Sequence, residues 1–323
     1  MLIRFIASFA VLVCIIVPCH AQPSGEHLKP TVFAIRDARV IPESGKVLAK
    51  ATVVIRDGLI KEVGPEVKAP ADALLIDGKG LTVYPGFIDA TSTWGFDPAL
   101  RRSESGAPAP VDFASEALAA TKPDNRKGMT PEFQVATALR AEEEPAENWR
   151  KHGFISHLIA PEGGFIVGQS ALVSMSGAPP REAILRSPVA MHVSFHGLPG
   201  NDYPRALMGV IAHCRQTLLD AGYHQRMWAA FEQNGRTGQR PPLDPSLDVL
   251  NLVLARKLPV VFEAESKDEI HRALDFAEEF HLQPVIYGGR DAWKAVDRLK
   301  QQQVPVILRL NFPDKPQMRL GRR

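Results

Sequence analysis

Any chemistry in this chain has to come from a small set of carboxylates, histidines and hydroxyls that close apolar runs. Glu263 ends Pro259-Val260-Val261-Phe262-Glu263, and Tyr287 ends Pro284-Val285-Ile286-Tyr287. Asp89, Thr91 and Thr93 take alternate positions at the close of Leu81 to Thr93, LTVYPGFIDATST. A carboxylate in a cleft can hold a cation or take a proton as general base. A threonine hydroxyl is a poor zinc ligand, because zinc takes imidazole nitrogen, thiolate or carboxylate. His192 and His196 are spaced four apart, which on a helix would suit one metal. Their surroundings, Pro188 to Phe195, favour a strand instead, where four residues span about 13 Å. One ion then reaches both only if the chain bends after Phe195.

The remaining reactive groups are read as structural. His152 and His157 have no ligand spacing, and His271 and His281 fall on or after a polar helix as exposed residues. Gly163-Gly164 and Gly288-Gly289 read as turns, since neither is followed by the Lys-Ser/Thr of a phosphate loop. Cys214 lies in the helical pattern Leu207, Val210, Ile211, Cys214, Leu218 and reads as a small buried apolar residue.

The elements that must position these groups follow from pattern. Val32–Ile35, Ala38–Ile41, Ala51–Ile55, Leu59–Val63 and Ala73–Ile76 read as short strands, with Asp57-Gly58 as a hairpin turn. Thr93 to Trp149 is polar and proline-interrupted and reads as a surface excursion. Beyond it, strands are predicted at Phe154–Ile159, Ala190–Phe195, Pro259–Glu263, Pro284–Tyr287 and Val304–Leu308. Helices are predicted at Tyr203–Ala221, Leu243–Arg256, Lys267–Phe280 and Arg290–Gln301. Strands alternating with helices imply a parallel sheet with crossover helices, best met by a (β/α) barrel.

With 323 residues, 45% hydrophobic and 23% charged, the chain has the composition of a globular protein. A formal net charge of +2 gives no reason to expect nucleic acid as a partner. The first residues read as a signal peptide: Arg4, an apolar run from Phe5 to Val17, then Pro18-Cys19-His20-Ala21 before cleavage at Gln22. The run is too short to span a bilayer, which takes about 20 residues, and Pro18 before Cys19 does not suit lipid attachment. The expectation is export, periplasmic or secreted, with no stable membrane anchor after cleavage. Cys14 and Cys19 leave with this leader, so Cys214 has no partner for an intrachain bridge.

The run Pro85-Gly86-Phe87-Ile88-Asp89 resembles the P-G-[FLM]-I-D-x-H-x-H pattern that opens the barrel of the amidohydrolase superfamily, most like its imidazolonepropionase-like branch. VVIRDGLIKEVG and LLIDGKGLTVYPGFID are similar to the small β-sandwich before that barrel. Beyond the signal peptide read at 1–21, the resemblance implies a β-sandwich segment at 31–82 and an incomplete (β/α) TIM-like barrel at 83–323 that lacks its last strands. It implies a metal-dependent hydrolase of non-peptide carbon–nitrogen bonds. It also puts the first two histidine ligands at Thr91 and Thr93, the third at Glu263 and the fourth at Tyr287. The aspartate of the last strand has no counterpart.

With those replacements no cofactor is expected, a divalent metal such as zinc belonging only to an intact site. Glu263 is the catalytic candidate, and Asp89, Thr91, Thr93, Tyr287 and Gly288 are cleft candidates. The expectation is therefore a chain inactive by itself. It would be a non-catalytic exported protein binding a small molecule or a partner, or the front part of a longer protein completed by a partner chain or self-association.

Overall fold

The computed structural model describes residues 31–95, 126, 128–139, 143–197 and 204–310. The leader, Cys14 and Cys19, most of the polar excursion and Glu142 of its acidic cluster lie outside the described residues. The chain divides into two units, Met1–Pro85 and Gly86–Arg323.

The first unit is a sheet in the order β3-β2-β1-β4, built from β1 (Val32–Glu43), β2 (Lys46–Arg56), β3 (Leu59–Gly64) and β4 (Leu74–Asp77), with β5 (Thr82–Val83) also pairing with β1. Two strands expected from pattern are one here. Between the pairs Ile35↔Val53 and Ala38↔Ala51, β1 carries an extra residue, and Asp37 there adopts a left-handed φ of 59°. Such a bulge bends a strand without ending it. Asp57 and Gly58 both have positive φ, 53° and 75°, as the two-residue β2–β3 hairpin turn requires. Ala38, Val40, Ala51 and Val53 form the buried face.

In the second unit β6 (Phe87–Ser92) runs parallel to β7 (Phe154–Ile159), which pairs antiparallel with β9 (Ala171–Ser174). β8 (Ile166–Gln169) pairs antiparallel with β11 (Met191–Ser194), and β10 (Ile184–Arg186) extends from β9. β11, β12 (Val260–Ala264), β13 (Pro284–Gly288) and β14 (Val306–Leu308) are all parallel. Only Ser170 separates β8 from β9, so one extended run serves two sheets, ordered β10-β9-β7-β6 and β14-β13-β12-β11-β8.

One expectation needs correction. The sheet is mixed, because β8, β9 and β10 enter antiparallel, with no crossover helix long enough to mark them. The strands succeed one another as barrel strands do, but no closed barrel forms: among the described residues β14 and β6 do not pair.

Alternation along each strand separates two faces. Val260, Phe262 and Ile286 are buried against helices, and Phe262 packs on Phe195 and Phe276 with ring centroids 5.9 and 6.2 Å away. The helices behind them are α2 (Leu207–Gln233), α3 (Pro245–Leu254), α4 (Lys267–Glu279) and α5 (Val296–Gln301), following α1 (Glu143–Lys151). α2 continues 12 residues past the predicted end at Ala221. Cys214 is buried on α2, and burial pushes its thiol up to about 12, as expected of an apolar filler.

α4 starts in a capping box. The Ser266 hydroxyl accepts from Glu269 N, and the Glu269 carboxylate accepts from Ser266 N at 3.0 Å and Glu265 N at 2.7 Å. Ser266→Ala should cost about 1 kcal/mol, read as a shift in urea midpoint at unchanged slope.

Candidate functional site

The row of reactive groups is set by register. β11, β12 and β13 pair Ser194 with Glu263 and Glu263 with Tyr287, so three polar side chains stand abreast at the C-terminal ends of parallel strands. Glu263 and Tyr287 point away from the helices because their neighbours Phe262 and Ile286 point toward them.

Arg309, immediately after β14, closes the row. β13 and β14 pair Gly288 with Leu308, and the Arg309 N–H donates to the Gly288 carbonyl. Its guanidinium donates from Nη2 to Glu263 at 3.0 Å, from Nε to the Tyr287 hydroxyl at 3.1 Å and from Nη1 to Glu265 at 3.3 Å. It also lies over the Tyr287 ring at 4.5 Å. Burial would lower the Arg309 pKa, but the hydrogen bonds to Tyr287 and Glu263 outweigh it and push the group above its ordinary value. Beside the row, His196 Nδ1 meets Ser194 Oγ at 2.6 Å and approaches Glu263 to 3.9 Å.

Ser194, His196, Glu263, Tyr287 and Arg309 line a cleft of about 570 Å³, together with Asp89 and Thr91 from β6, Thr93 just after it, His192 from β11, and Gly163 and Gly164 from the loop after β7. Asp89 accepts from Thr91 N and lies 3.2 Å from His157 Nδ1. The contact is close but not aligned as a hydrogen bond, since neither ring nitrogen of His157 makes one. Burial lowers the pKa of His157, opposed by the Asp89 carboxylate. The His157 ring meets Trp149 edge-on at 4.7 Å, and Trp149 lines the cleft as well. His192 is 7% exposed, its Nε2 has no hydrogen-bond partner, and burial holds its pKa down to about 4.

Glu263, Asp89, Thr91, Thr93 and Tyr287 thus share one cleft, whereas Gly288 stands outside its lining. The glycine turn Gly163-Gly164 does line it. His192 and His196 do so too, with Ser194 between them, since alternate residues of an extended run share a face. Sequence reasoning set His157 aside for want of ligand spacing and did not single out Arg309. His157 could have been found from its place inside β7, an apolar strand. Nothing local marked Arg309.

No protein-family model matches the chain. The dihydroorotase of Anaeromyxobacter dehalogenans (strain 2CP-C) is 36% identical over 116 residues, covering 34% of this chain and 27% of that protein. The dihydroorotase of Geotalea daltonii is 46% identical over 55 residues, 17% of this chain and 13% of that one. The matched stretches thus span about a quarter or less of these relatives' length. An amidohydrolase from Thermotoga maritima MSB8 superposes with a TM-score of 0.70 at 23% identity, over 88% of this chain and 72% of that one, and shows a shared fold. The chain thus shares its fold with an amidohydrolase and a stretch of its sequence with dihydroorotases.

An amidohydrolase of the resembled pattern holds a divalent metal, and the donors present here do not fit one. Thr91, Thr93 and Tyr287 offer hydroxyls where imidazoles are expected. Among the described residues no group of three or more His, Cys, Asp or Glu could hold a metal ion. Glu263, the carboxylate at a ligand position, already accepts from the Arg309 guanidinium.

Proposed function

We propose that this amidohydrolase-superfamily chain is a non-catalytic relative that uses its cleft to bind a small molecule without a metal. The observation that carries the reading is Arg309. Its guanidinium engages Glu263 and Tyr287, the two positions to which the family resemblance assigns later histidine ligands. A fixed organic cation can tie strand ends together, but it cannot lower the pKa of a bound water as a metal does. The reading is therefore binding in place of hydrolysis.

The test is elemental analysis of the purified protein alongside an assay with dihydroorotate, with and without added zinc. The expected result is no stoichiometric zinc, iron or manganese and no turnover. Metal-dependent hydrolysis abolished by Glu263→Ala would overturn the reading. It would favour the alternative to which the dihydroorotase likeness points, a hydrolase of carbon–nitrogen bonds.

The reading includes export, supported by Arg4, the apolar run Phe5 to Val17 and the small residue Ala21. Among the described residues no helix is long and apolar enough to cross a membrane. Mass spectrometry of the native protein should find a mature chain starting at Gln22, and an intact leader on the native protein would overturn export.

A further inference from the structure

One end of the cleft combines a carboxylate with an aromatic ring. Asp89 and Trp149 both line it and both rest on the same buried histidine, Asp89 at 3.2 Å from His157 Nδ1 and Trp149 with its ring centroid 4.7 Å from that of His157. Burial lowers the pKa of His157, so at neutral pH Asp89 faces a neutral ring. Among the described residues its negative charge meets no cation. A carboxylate beside an aromatic face is the pairing that recognises organic cations, by charge and by the ring's quadrupole. Among the described lining residues the one guanidinium, Arg309, is committed to Glu263 and Glu265, which leaves little positive potential there for an anionic ligand.

The second observation is His192. Its side chain lines the same cleft, is more than nine-tenths buried, and leaves Nε2 without a partner. A buried polar atom left unpaired costs about 1–3 kcal/mol, a cost a ligand group can relieve. With its pKa held near 4 by burial, the imidazole is neutral at physiological pH, and its unpartnered nitrogen carries no charge.

We propose that the cleft binds a small organic nitrogen cation, an alkylammonium or amidinium, held by Asp89 and Trp149, whose neutral polar end hydrogen-bonds Nε2 of His192. This rests on the reading of the cleft as a metal-free binding site and names the class of ligand it takes.

The test is titration calorimetry on the full chain in EDTA with three probes: 5-amino-1-pentanol, pentylamine and 5-hydroxypentanoate. The aminoalcohol should bind most tightly. Pentylamine, lacking the hydroxyl, should bind about fivefold more weakly, as loss of one hydrogen bond predicts, and hydroxypentanoate should not bind. Asp89→Asn keeps the acceptor for Thr91 N, and it should weaken both amines about tenfold or more, as loss of a charged partner predicts. His192→Phe should erase the difference between the two amines. His192→Gln serves the same purpose if the phenylalanine variant does not fold, with the difference falling and the amine preference kept. Tighter binding of the anion, binding of no probe, or an unchanged amine preference in Asp89→Asn would overturn the proposal. Assaying dihydroorotate hydrolysis on the same preparation separates the two readings. Metal-dependent turnover sinks the non-catalytic reading, whereas an inert protein that prefers the anion sinks the ligand class alone.

Discussion

Lowering the pH from 7 to 4 should remove about 3 kcal/mol of folding stability through His192. Its pKa is about 4 in the folded protein against the ordinary 6.5, and each unit of difference corresponds to about 1.4 kcal/mol. Between those values the unfolded chain carries a proton that the folded chain excludes, so stability rises with pH across the window. The contribution is fully present above pH 6.5, falls as the pH drops toward 4, and is flat below. His157 acts with the same sign, because burial lowers its pKa too, with Asp89 opposing. Urea unfolding of the native protein and of His192→Gln at pH 7, 5.5 and 4 measures the effect. The glutamine variant should lose much less stability on acidification. Parallel pH profiles for the two proteins would show that His192 does not carry the penalty.

Arg309→Met should cost about 2 kcal/mol. Exposed pairs contribute about 0–1 kcal/mol and breaking a buried pair costs about 3–5. The Arg309 and Glu263 side chains, 30% and 34% exposed, fall between these cases. The loss corresponds to a melting temperature lower by about 3 °C for a chain of this size. Arg309→Lys should recover only part of it, since one ammonium cannot reproduce a planar fork reaching Glu263, Tyr287 and Glu265 together. Adding Glu263→Gln to Arg309→Met should restore some stability, because the carboxylate left behind no longer carries an uncompensated charge. Calorimetric melting of the four proteins in EDTA checks this. A methionine variant melting with the wild type would show that the guanidinium is not what joins these strand ends.

Much of the second unit was legible from pattern because its signals are local. Pro259–Glu263, Lys267–Phe280 and Pro284–Tyr287 each announce themselves by apolar runs or helical period. The resemblance to the amidohydrolase barrel, carried over position by position onto those runs, then placed Glu263 and Tyr287 at strand ends. The short strands β8, β9 and β10 gave no such signal. They are three or four residues long, and Gly168 interrupts the apolar pattern at a φ of 127°, where a Cβ would come within 2.6 Å of the Phe133 carbonyl oxygen. What makes them strands is the neighbours they meet, β7 and β11, and those meetings are tertiary.

The chain's own residue order therefore specifies where strands end and which chemical groups stand there, because the periods of two and 3.6 are properties of the backbone. It also specifies that Thr91, Thr93, Glu263 and Tyr287 replace imidazoles in a recognisable pattern. Which cation faces those groups depends on pairing between distant segments. Glu263 and Arg309 are 46 residues apart, and they meet only because β14 lies beside β13 with Leu308 opposite Gly288. A shift of that register by one residue would turn Arg309 to the opposite face. Likewise Asp89 and His157 are joined by the β6–β7 register, and His192 becomes an unpaired group only through the burial that packing imposes. Register and desolvation arise from the assembled sheet, so no stretch of sequence carries them by itself.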